Sequence, residues 1–377
     1  MTALAQAQPA APRLPAVAEP ARAEALAAAA ADYAALGMEN AAAVYASHPA
    51  LAQALGPHLR YVVTGSTLPP RERSLVGLRA VWLARSPYLW AHLAAVAREN
   101  GLSAAELRRI AAGPDAGWDA FEATLLRAAD ELYVDAMLSD PTWAALDERY
   151  DIPQLVDAID TVGALTMHAG ALNTLGVALE AAFAAERLPD VPRTFAAERT
   201  NFRLQGKEPR IPPAPAAGGR GSANVFRTFQ HNPPADRVRG AINTHVNRNS
   251  LEPRHREILL TRIGVLCRSE YEYAAHLRAG MRAGMTQADV ALVLAGPEAG
   301  TGAPLDLALV RATDELHRDD AVSAATWRAL ADAYTPEKLL DVLFSVGAYR
   351  SGSMLISSAG VQLDADMADY RFPPELR

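Results

Sequence analysis

The sequence predicts an all-α protein made of two related helical bundles, and three observations lead to this prediction. Half of the 377 residues are apolar and only 6% are aromatic, a composition that favours helices around apolar cores. No segment shows the alternation of apolar and polar residues that predicts a strand. The chain is too long for one ordinary core, and it repeats its own sequence. We therefore expect two pseudo-symmetric bundles.

The repeat becomes visible when the chain is compared with itself. A shift of 183 residues aligns STLPPRERSLVGLR (66–79) with NSLEPRHREILLTR (249–262). After one extra residue near Gly300, a shift of 184 aligns residues 123–146 with 307–330. Chance does not keep such a register over about 140 positions, so the chain is a tandem duplication.

Composition along the chain predicts the limits of the two units. A flexible N-terminal tail, rich in Ala, Pro and Gln, is expected over 1–20. We expect the first repeat over 21–185, a linker rich in Pro and Gly over 186–222, and the second repeat over 223–370.

Helix-capping patterns recur at matching places in the two repeats. In GLSAAELRRIAAG, Ser103 is followed three residues later by Glu106, and Gly113 ends the segment. Thr286 and Asp289 give the second repeat the same frame. A hydroxyl side chain with an acidic residue three positions on is typical of a capped helix start, so both segments predict short helices.

Charge and cysteine content exclude several classes of protein. The net charge is −7 without a basic stripe, which argues against nucleic acid as a partner. No run of 18 apolar residues predicts a membrane span, and the first residues lack the basic start of a signal peptide. Cys267 is the single cysteine and cannot form an internal disulfide, so we expect a cytoplasmic protein.

Only the second repeat keeps a complete set of ionisable residues that could carry chemistry. Glu272 and His276 are four residues apart and share a helix face, and Glu257 precedes them on the preceding predicted helix. A carboxylate beside an imidazole raises the histidine pKa and orients its ring, as a general acid or base requires. The corresponding positions of the first repeat are Ser74, Leu89 and Leu93. The alternative is an ordinary pair on a helix surface.

The segments LEPRHREILLTR (251–262) and CRSEYEYAAHLRAGMRAGMTQADV (267–290) resemble the carboxymuconolactone decarboxylase and AhpD-like superfamily. Both repeats resemble it along most of their length. In that family a Glu, two positions three apart and a His form the active site, and this pattern falls on Glu257, Ser269, Glu272 and His276. The peroxidase branch has cysteines at the two middle positions. A chain with one cysteine cannot run a dithiol cycle, which argues against alkylhydroperoxidase activity.

The resemblance implies a cofactor-independent lyase of the decarboxylase type, acting on a small carboxylated or lactone-like molecule. His276 would be the acid, Glu272 would orient it, and Glu257 would be a second acid or base. No cofactor and no metal are expected, although two glutamates and a histidine could hold a divalent ion. Cyclisation, dehydration and isomerisation in specialised metabolism use the same acid/base chemistry and remain alternatives, as does a non-catalytic assembly module.

Four further residues are candidates for substrate binding: Ser269, Tyr273, His168 and Arg350. Arg350 could clamp a substrate carboxylate, or form a salt bridge between the domains. His168 could line a pocket, or be a histidine of the core. The family forms homo-oligomers of single domains, so we expect the fused chain to act as an internal pseudo-dimer, with homo-oligomers of it an open alternative.

Overall fold

The computed structural model describes residues 9, 11–192, 208–215, 222–299 and 301–376. Helices joined by turns and irregular segments make up these residues, with no strand among them. The first repeat contains helices α1 Ala21–Leu26, α2 Ala30–Ala35, α3 Glu39–Tyr45, α4 Pro49–Arg60, α5 Pro70–Leu83, α6 Pro87–Glu99, α7 Ala104–Ala112, α8 Ala120–Asp135, α9 Asp140–Asp147 and α10 Ile152–Leu175. The second contains α11 Asn224–Phe229, α12 Pro233–Val246, α13 Pro253–Leu266, α14 Glu270–Arg282, α15 Gln287–Ala295, α16 Pro304–Asp319, α17 Ala324–Ala331 and α18 Pro336–Ala359.

The duplication extends to the buried ion pairs that hold each repeat together. Arg79 on α5 binds both carboxylate oxygens of Asp130 on α8, at 2.6 and 3.0 Å. Arg262 on α13 binds Asp314 on α16 in the same bidentate way, at 2.7 and 2.8 Å. The shift of 183 relates the two arginines and the shift of 184 relates the two aspartates, which confirms the prediction of two similar bundles.

The two predicted capped helices are also confirmed. Ser103 and Glu106 form a reciprocal capping box at the start of α7. Thr286 and Asp289 form the same arrangement at the start of α15. Each box satisfies backbone N–H groups that the first helical turn would otherwise leave without partners.

The longest helices, α10 and α18, cross at the interface between the repeats. Gly163 on α10 lies against Ser351 on α18, and a β-carbon at position 163 would overlap that side chain. Gly347, the counterpart of Gly163, lies against Met167 in the same way. Glycine on both helices therefore lets the two backbones approach closely, and this crossing is the centre of the pseudo-symmetric arrangement.

The segments that lead into the repeats cross over reciprocally. The Arg13 guanidinium donates to the Val322 carbonyl in the second repeat at 2.7 Å. The Arg210 guanidinium donates to the Leu138 carbonyl in the first repeat at 2.9 Å. Leu14, beside Arg13, is buried in the core. Residues 11–20 of the expected tail therefore include contacts with the rest of the chain. The rest of the tail that lies outside the described residues is 1–8 and 10, and the part of the expected linker that lies outside them is 193–207 and 216–221.

Among the described residues, one helix, Pro336–Ala359, is long and apolar enough to cross a membrane by length and composition. However, 94% of its apolar window is buried inside the protein. This helix is α18, and its apolar surface is covered by the core, in particular by α10.

Candidate functional site

Helices α13 and α14 form the hairpin that carries the candidate site. Gly264 allows the two helices to approach closely, because a β-carbon there would lie 2.8 Å from the Tyr273 backbone nitrogen. The turn between the helices places Arg268 in the left-handed region at φ +51°, and Ser269 then begins α14. This short connection brings Glu257 on α13 beside the first two turns of α14.

The structure brings the three predicted ionisable residues together. His276 Nδ1 lies 2.8 Å from Glu257 Oε2, and His276 Nε2 lies 3.5 Å from Glu272 Oε2. The three residues are 3 to 7% exposed, so the ring is held between two carboxylates with little water around it. The short contact to Glu257 fixes the orientation of the ring, and the longer contact leaves Nε2 the less constrained nitrogen.

Electrostatics at the site favour the imidazolium. Burial of the ring opposes its charge, but Glu257 and, to a smaller extent, Glu272 outweigh burial and raise the pKa of His276 to about 9. Burial also works against the charge on Glu257, yet the neighbouring His276 and Arg256 keep the pKa of that carboxyl below its usual range. The protonated form of His276 is therefore favoured at neutral pH.

Three more residues complete the surroundings of the pair. The Tyr349 ring meets the His276 ring edge to face, with centroids 4.5 Å apart. Asn247 donates to the Tyr349 hydroxyl at 3.3 Å. Arg256 Nε donates to Glu257 Oε1 at 3.1 Å, so this carboxylate is shared between a histidine and an arginine.

Comparison with known proteins identifies the family. A family model described as the carboxymuconolactone decarboxylase family matches residues 49–131 and again residues 233–315. Each repeat thus contains one carboxymuconolactone decarboxylase family domain, as expected of a tandem two-repeat protein. No curated protein and no solved structure matches it. Within the two matched segments lie all the residues of the Glu257–His276 site and their first-repeat counterparts.

The first of the matched segments lacks the three ionisable groups, and the histidine nearest to the His276 position makes another contact. His92, one position before the counterpart of His276, has its Nε2 2.9 Å from Glu180 Oε2. Tyr88 donates to the other oxygen of the same carboxylate at 2.7 Å. In the first carboxymuconolactone decarboxylase family domain, His92 therefore holds the segment after α10 against α6.

Ser269 directly precedes the site helix α14, and Tyr273 lies on it. Ser269 is fully buried, and its hydroxyl accepts the Glu272 backbone N–H at 3.5 Å as the first residue before α14. Tyr273 stacks on Phe372 at a centroid distance of 4.6 Å. These two residues position α14, and with it Glu272 and His276.

Arg350 is placed at the interface between the repeats. Its guanidinium binds Asp320 Oδ1 at 2.6 Å and donates to the Tyr133 carbonyl of the first repeat at 3.2 Å. The salt bridge to Asp320 therefore lies within the second repeat, and the contact that joins the repeats is the hydrogen bond to Tyr133, not the interdomain salt bridge that the sequence left open as an alternative. The neighbouring residue Tyr349, one position earlier on α18, is the one that contacts His276.

His168 is a fully buried histidine on α10. Its ring packs against Tyr45 and Phe344, at centroid distances of 6.2 and 5.6 Å. Within the described residues neither of its ring nitrogens has a hydrogen-bond partner. Burial, with a smaller effect of His58, lowers its pKa to about 3, so the ring is neutral. These contacts are those of a core histidine.

Sequence reasoning missed Arg256, Asn247 and Tyr349. Arg256 directly precedes Glu257, and this adjacency could have indicated a cation beside the carboxylate. Tyr349 is next to the residue that the sequence favoured, and a one-residue step on a helix turns a side chain by about 100°. Asn247 follows α12, and no spacing in the sequence relates it to the site.

Proposed function

We propose that the second repeat is a cofactor-independent, decarboxylase-like lyase that transfers protons to and from a small carboxylated or lactone-like substrate. The observation that carries the proposal is the His276 ring held between two buried carboxylates, with Nδ1 2.8 Å from Glu257. A buried imidazolium with a fixed ring is suited to general acid catalysis.

The distances from His276 to the two carboxylates suggest a different role for each of them. We assign Glu257 as the residue that orients the ring, because its contact with His276 is the shorter. Glu272 faces Nε2 at 3.5 Å and becomes the second acid or base. This assignment exchanges the roles that the sequence suggested for the two glutamates. Gly352 on α18 supports it by leaving room for the Glu272 carboxylate.

In the proposed reaction, the bond between a substrate carbon and its carboxylate breaks, and carbon dioxide leaves. The electron pair of that bond stays on the substrate as a dienolate, which His276 protonates from Nε2. Glu272 or water then returns a proton to the ring. No oxidant, reductant or further reactant is needed for this balance.

Arg256 is the cation best placed to hold a substrate carboxylate near the imidazole. Its Nε is committed to Glu257, and no further side-chain contact of its guanidinium is seen within the described residues. Its side chain is 14% exposed, against 5% for Arg350. Arg350 is bound to Asp320 and lies in the repeat interface, so we place substrate recognition on Arg256 and Asn247.

The proposal is tested with small lactones that bear a carboxylate, measuring release of carbon dioxide and, in heavy water, uptake of deuterium by the substrate. Deuterium uptake without carbon dioxide release would favour an isomerase with the same acid/base groups. His276→Ala should lower turnover by about 10²–10⁴-fold, the usual contribution of a general acid or base. Glu257→Gln should also lower turnover, because the ring loses the carboxylate that orients it and favours its protonated form.

His92→Ala is the matched control, because His92 is also a buried histidine beside a carboxylate but lies in the repeat without the site. It should keep turnover near the wild-type rate, with folding of each variant checked by circular dichroism. Equal losses from His92→Ala and His276→Ala would contradict a single site in the second repeat.

We also propose that the fused chain takes the place of a dimer of single-domain subunits. The reciprocal contacts of Arg13 and Arg210 support this, since each entry segment reaches across to the other repeat.

A further inference from the structure

We propose that a divalent transition-metal ion binds between the two repeats, held by His48, His245 and Asp341. His48 precedes α4 in the first repeat, His245 is near the end of α12, and Asp341 is in the first turns of α18. One nitrogen or oxygen of each side chain lies within 4.8 Å of the others. The site is thus built from both halves of the chain and is distinct from the Glu257–His276 site.

The donor atoms are spaced as metal ligands are. His245 Nε2 lies 2.8 Å and His48 Nε2 3.1 Å from the same oxygen, Asp341 Oδ1. Ligands at about 2.0–2.2 Å from an ion stand roughly 3 Å apart, so small shifts of three side chains would admit one. Two imidazoles and one carboxylate suit zinc, cobalt or ferrous iron better than magnesium or calcium.

Hydrogen bonding leaves the cluster incomplete without a ligand. Among the described residues, His48 Nε2 is buried without a hydrogen-bond partner, although it lies 3.1 Å from Asp341 Oδ1. Asp341 Oδ2 accepts the Ser250 backbone N–H at 2.8 Å and the Ser250 hydroxyl at 2.6 Å. Ser250 thereby fixes the carboxylate and leaves Oδ1 to face both imidazoles, as outer-shell partners of metal ligands do.

The pseudo-symmetric position in the first repeat shows what an ordinary structural carboxylate looks like in this fold. Asp157, the counterpart of Asp341, accepts the Thr67 hydroxyl at 2.7 Å, as Asp341 accepts that of Ser250. Its other oxygen accepts the Tyr61 hydroxyl at 3.0 Å and the Asn232 amide at 2.9 Å. Two neutral hydrogen-bond donors thus stand where the second repeat presents two imidazoles, and Asp157 has its partners without an ion.

The candidate metal site is open enough to exchange an ion and separate enough to be tested alone. The side chains of His48 and His245 are each 10% exposed, while Asp341 is fully buried. Along α18, Asp341 stands eight residues before Tyr349, a rise of about 12 Å, so metal binding can be measured without reference to turnover.

The experiment uses the full chain, treated with a chelator and then titrated with cobalt and, separately, zinc. Calorimetry should give one ion per chain, and cobalt should develop the visible absorption of a site with nitrogen ligands. His48→Ala and His245→Ala should each weaken binding by roughly 100-fold or more. Zinc should raise the melting temperature of the wild-type chain but not of His48→Ala, because an ion bound only by the folded state stabilises it.

Asp157→Asn is the matched control, since it alters the equivalent buried carboxylate in the other repeat and should leave the affinity unchanged. His48→Ala keeps the bonds from His245 and Ser250 to Asp341, and circular dichroism establishes that it folds. Absence of stoichiometric binding to the wild type, or equal binding to His48→Ala and the wild type, would overturn the proposal and leave a simple ion-pair cluster.

Discussion

The contact between His276 and Glu257 predicts that the protein loses stability as the solution becomes alkaline. The pKa of His276 is raised from 6.5 to about 9 in the fold, so the folded chain binds the proton more tightly than the unfolded chain does. This stabilisation is fully present below pH 6.5 and is lost as the pH rises through 9. A shift from 6.5 to about 9 corresponds to about 3 kcal/mol at 1.36 kcal/mol per unit.

The acid side has the opposite sign. The pKa of Glu257 is lowered from 4.5, so its contribution is present above pH 4.5 and is lost as the pH falls through the folded value. The pair therefore stabilises the fold most between 4.5 and 6.5, the two unfolded values.

Urea unfolding at a series of pH values from about 6 to about 10 measures the effect, with His276→Gln as the variant. The wild type should lose about 3 kcal/mol more than the variant over that range. A magnetic resonance titration of the His276 ring in the folded protein gives its pKa directly. His231→Gln leaves the Glu257–His276 contact intact and should keep the wild-type slope. If His276→Gln and the wild type lose equal stability, the pair does not bind its proton as the geometry implies.

Two further predictions concern the second carboxylate and the assembly. Gly352→Ala places a β-carbon 2.8 Å from Glu272 Oε1, so it should displace the carboxylate and lower the pKa of His276 in the same titration; Gly240→Ala, with no atom within 4 Å, should leave that pKa unchanged. If two fused repeats replace two subunits, each chain should keep its internal pairing, and light scattering should give a mass of 40.2 kDa or a multiple of it. Arg210→Ala should lower the melting temperature equally at low and high protein concentration, because the contact that it removes lies within one chain.

The two-bundle fold could be predicted from the sequence because the duplication is visible in the sequence itself. The two shifts that align the repeats, 183 and 184, also align the Arg79–Asp130 and Arg262–Asp314 pairs, although neither pair was expected from the sequence. Glu272 and His276 lie near each other because residues four apart share a helix face. Their contact with Glu257 depends on the tight packing at Gly264, which spacing alone does not specify.

The residues that the sequence did not suggest come together through the crossing of distant helices. The sequence suggested Arg350 as a residue of the site, whereas Tyr349, one position earlier on α18, contacts His276. Only packing decides which face of a buried helix meets the site. His48, His245 and Asp341 come from three helical segments in two repeats, and no local motif relates them. Sequence periodicity gives the face of a helix, but not the neighbour that this face will meet.

The crossing of α10 and α18 at Gly163 and Gly347 joins two repeats that are related by pseudo-symmetry but belong to one chain, so equivalent sites on the two sides can differ. In a dimer of identical subunits, every substitution appears twice, so a new ligand group on one side of the axis is repeated on the other. In the fused chain the two sides are encoded separately. Asp157 can keep hydroxyl and amide partners while Asp341 faces two imidazoles, and acid/base groups can occupy one hairpin while the other holds leucines. One chain thereby provides two different chemical environments on a single symmetric scaffold.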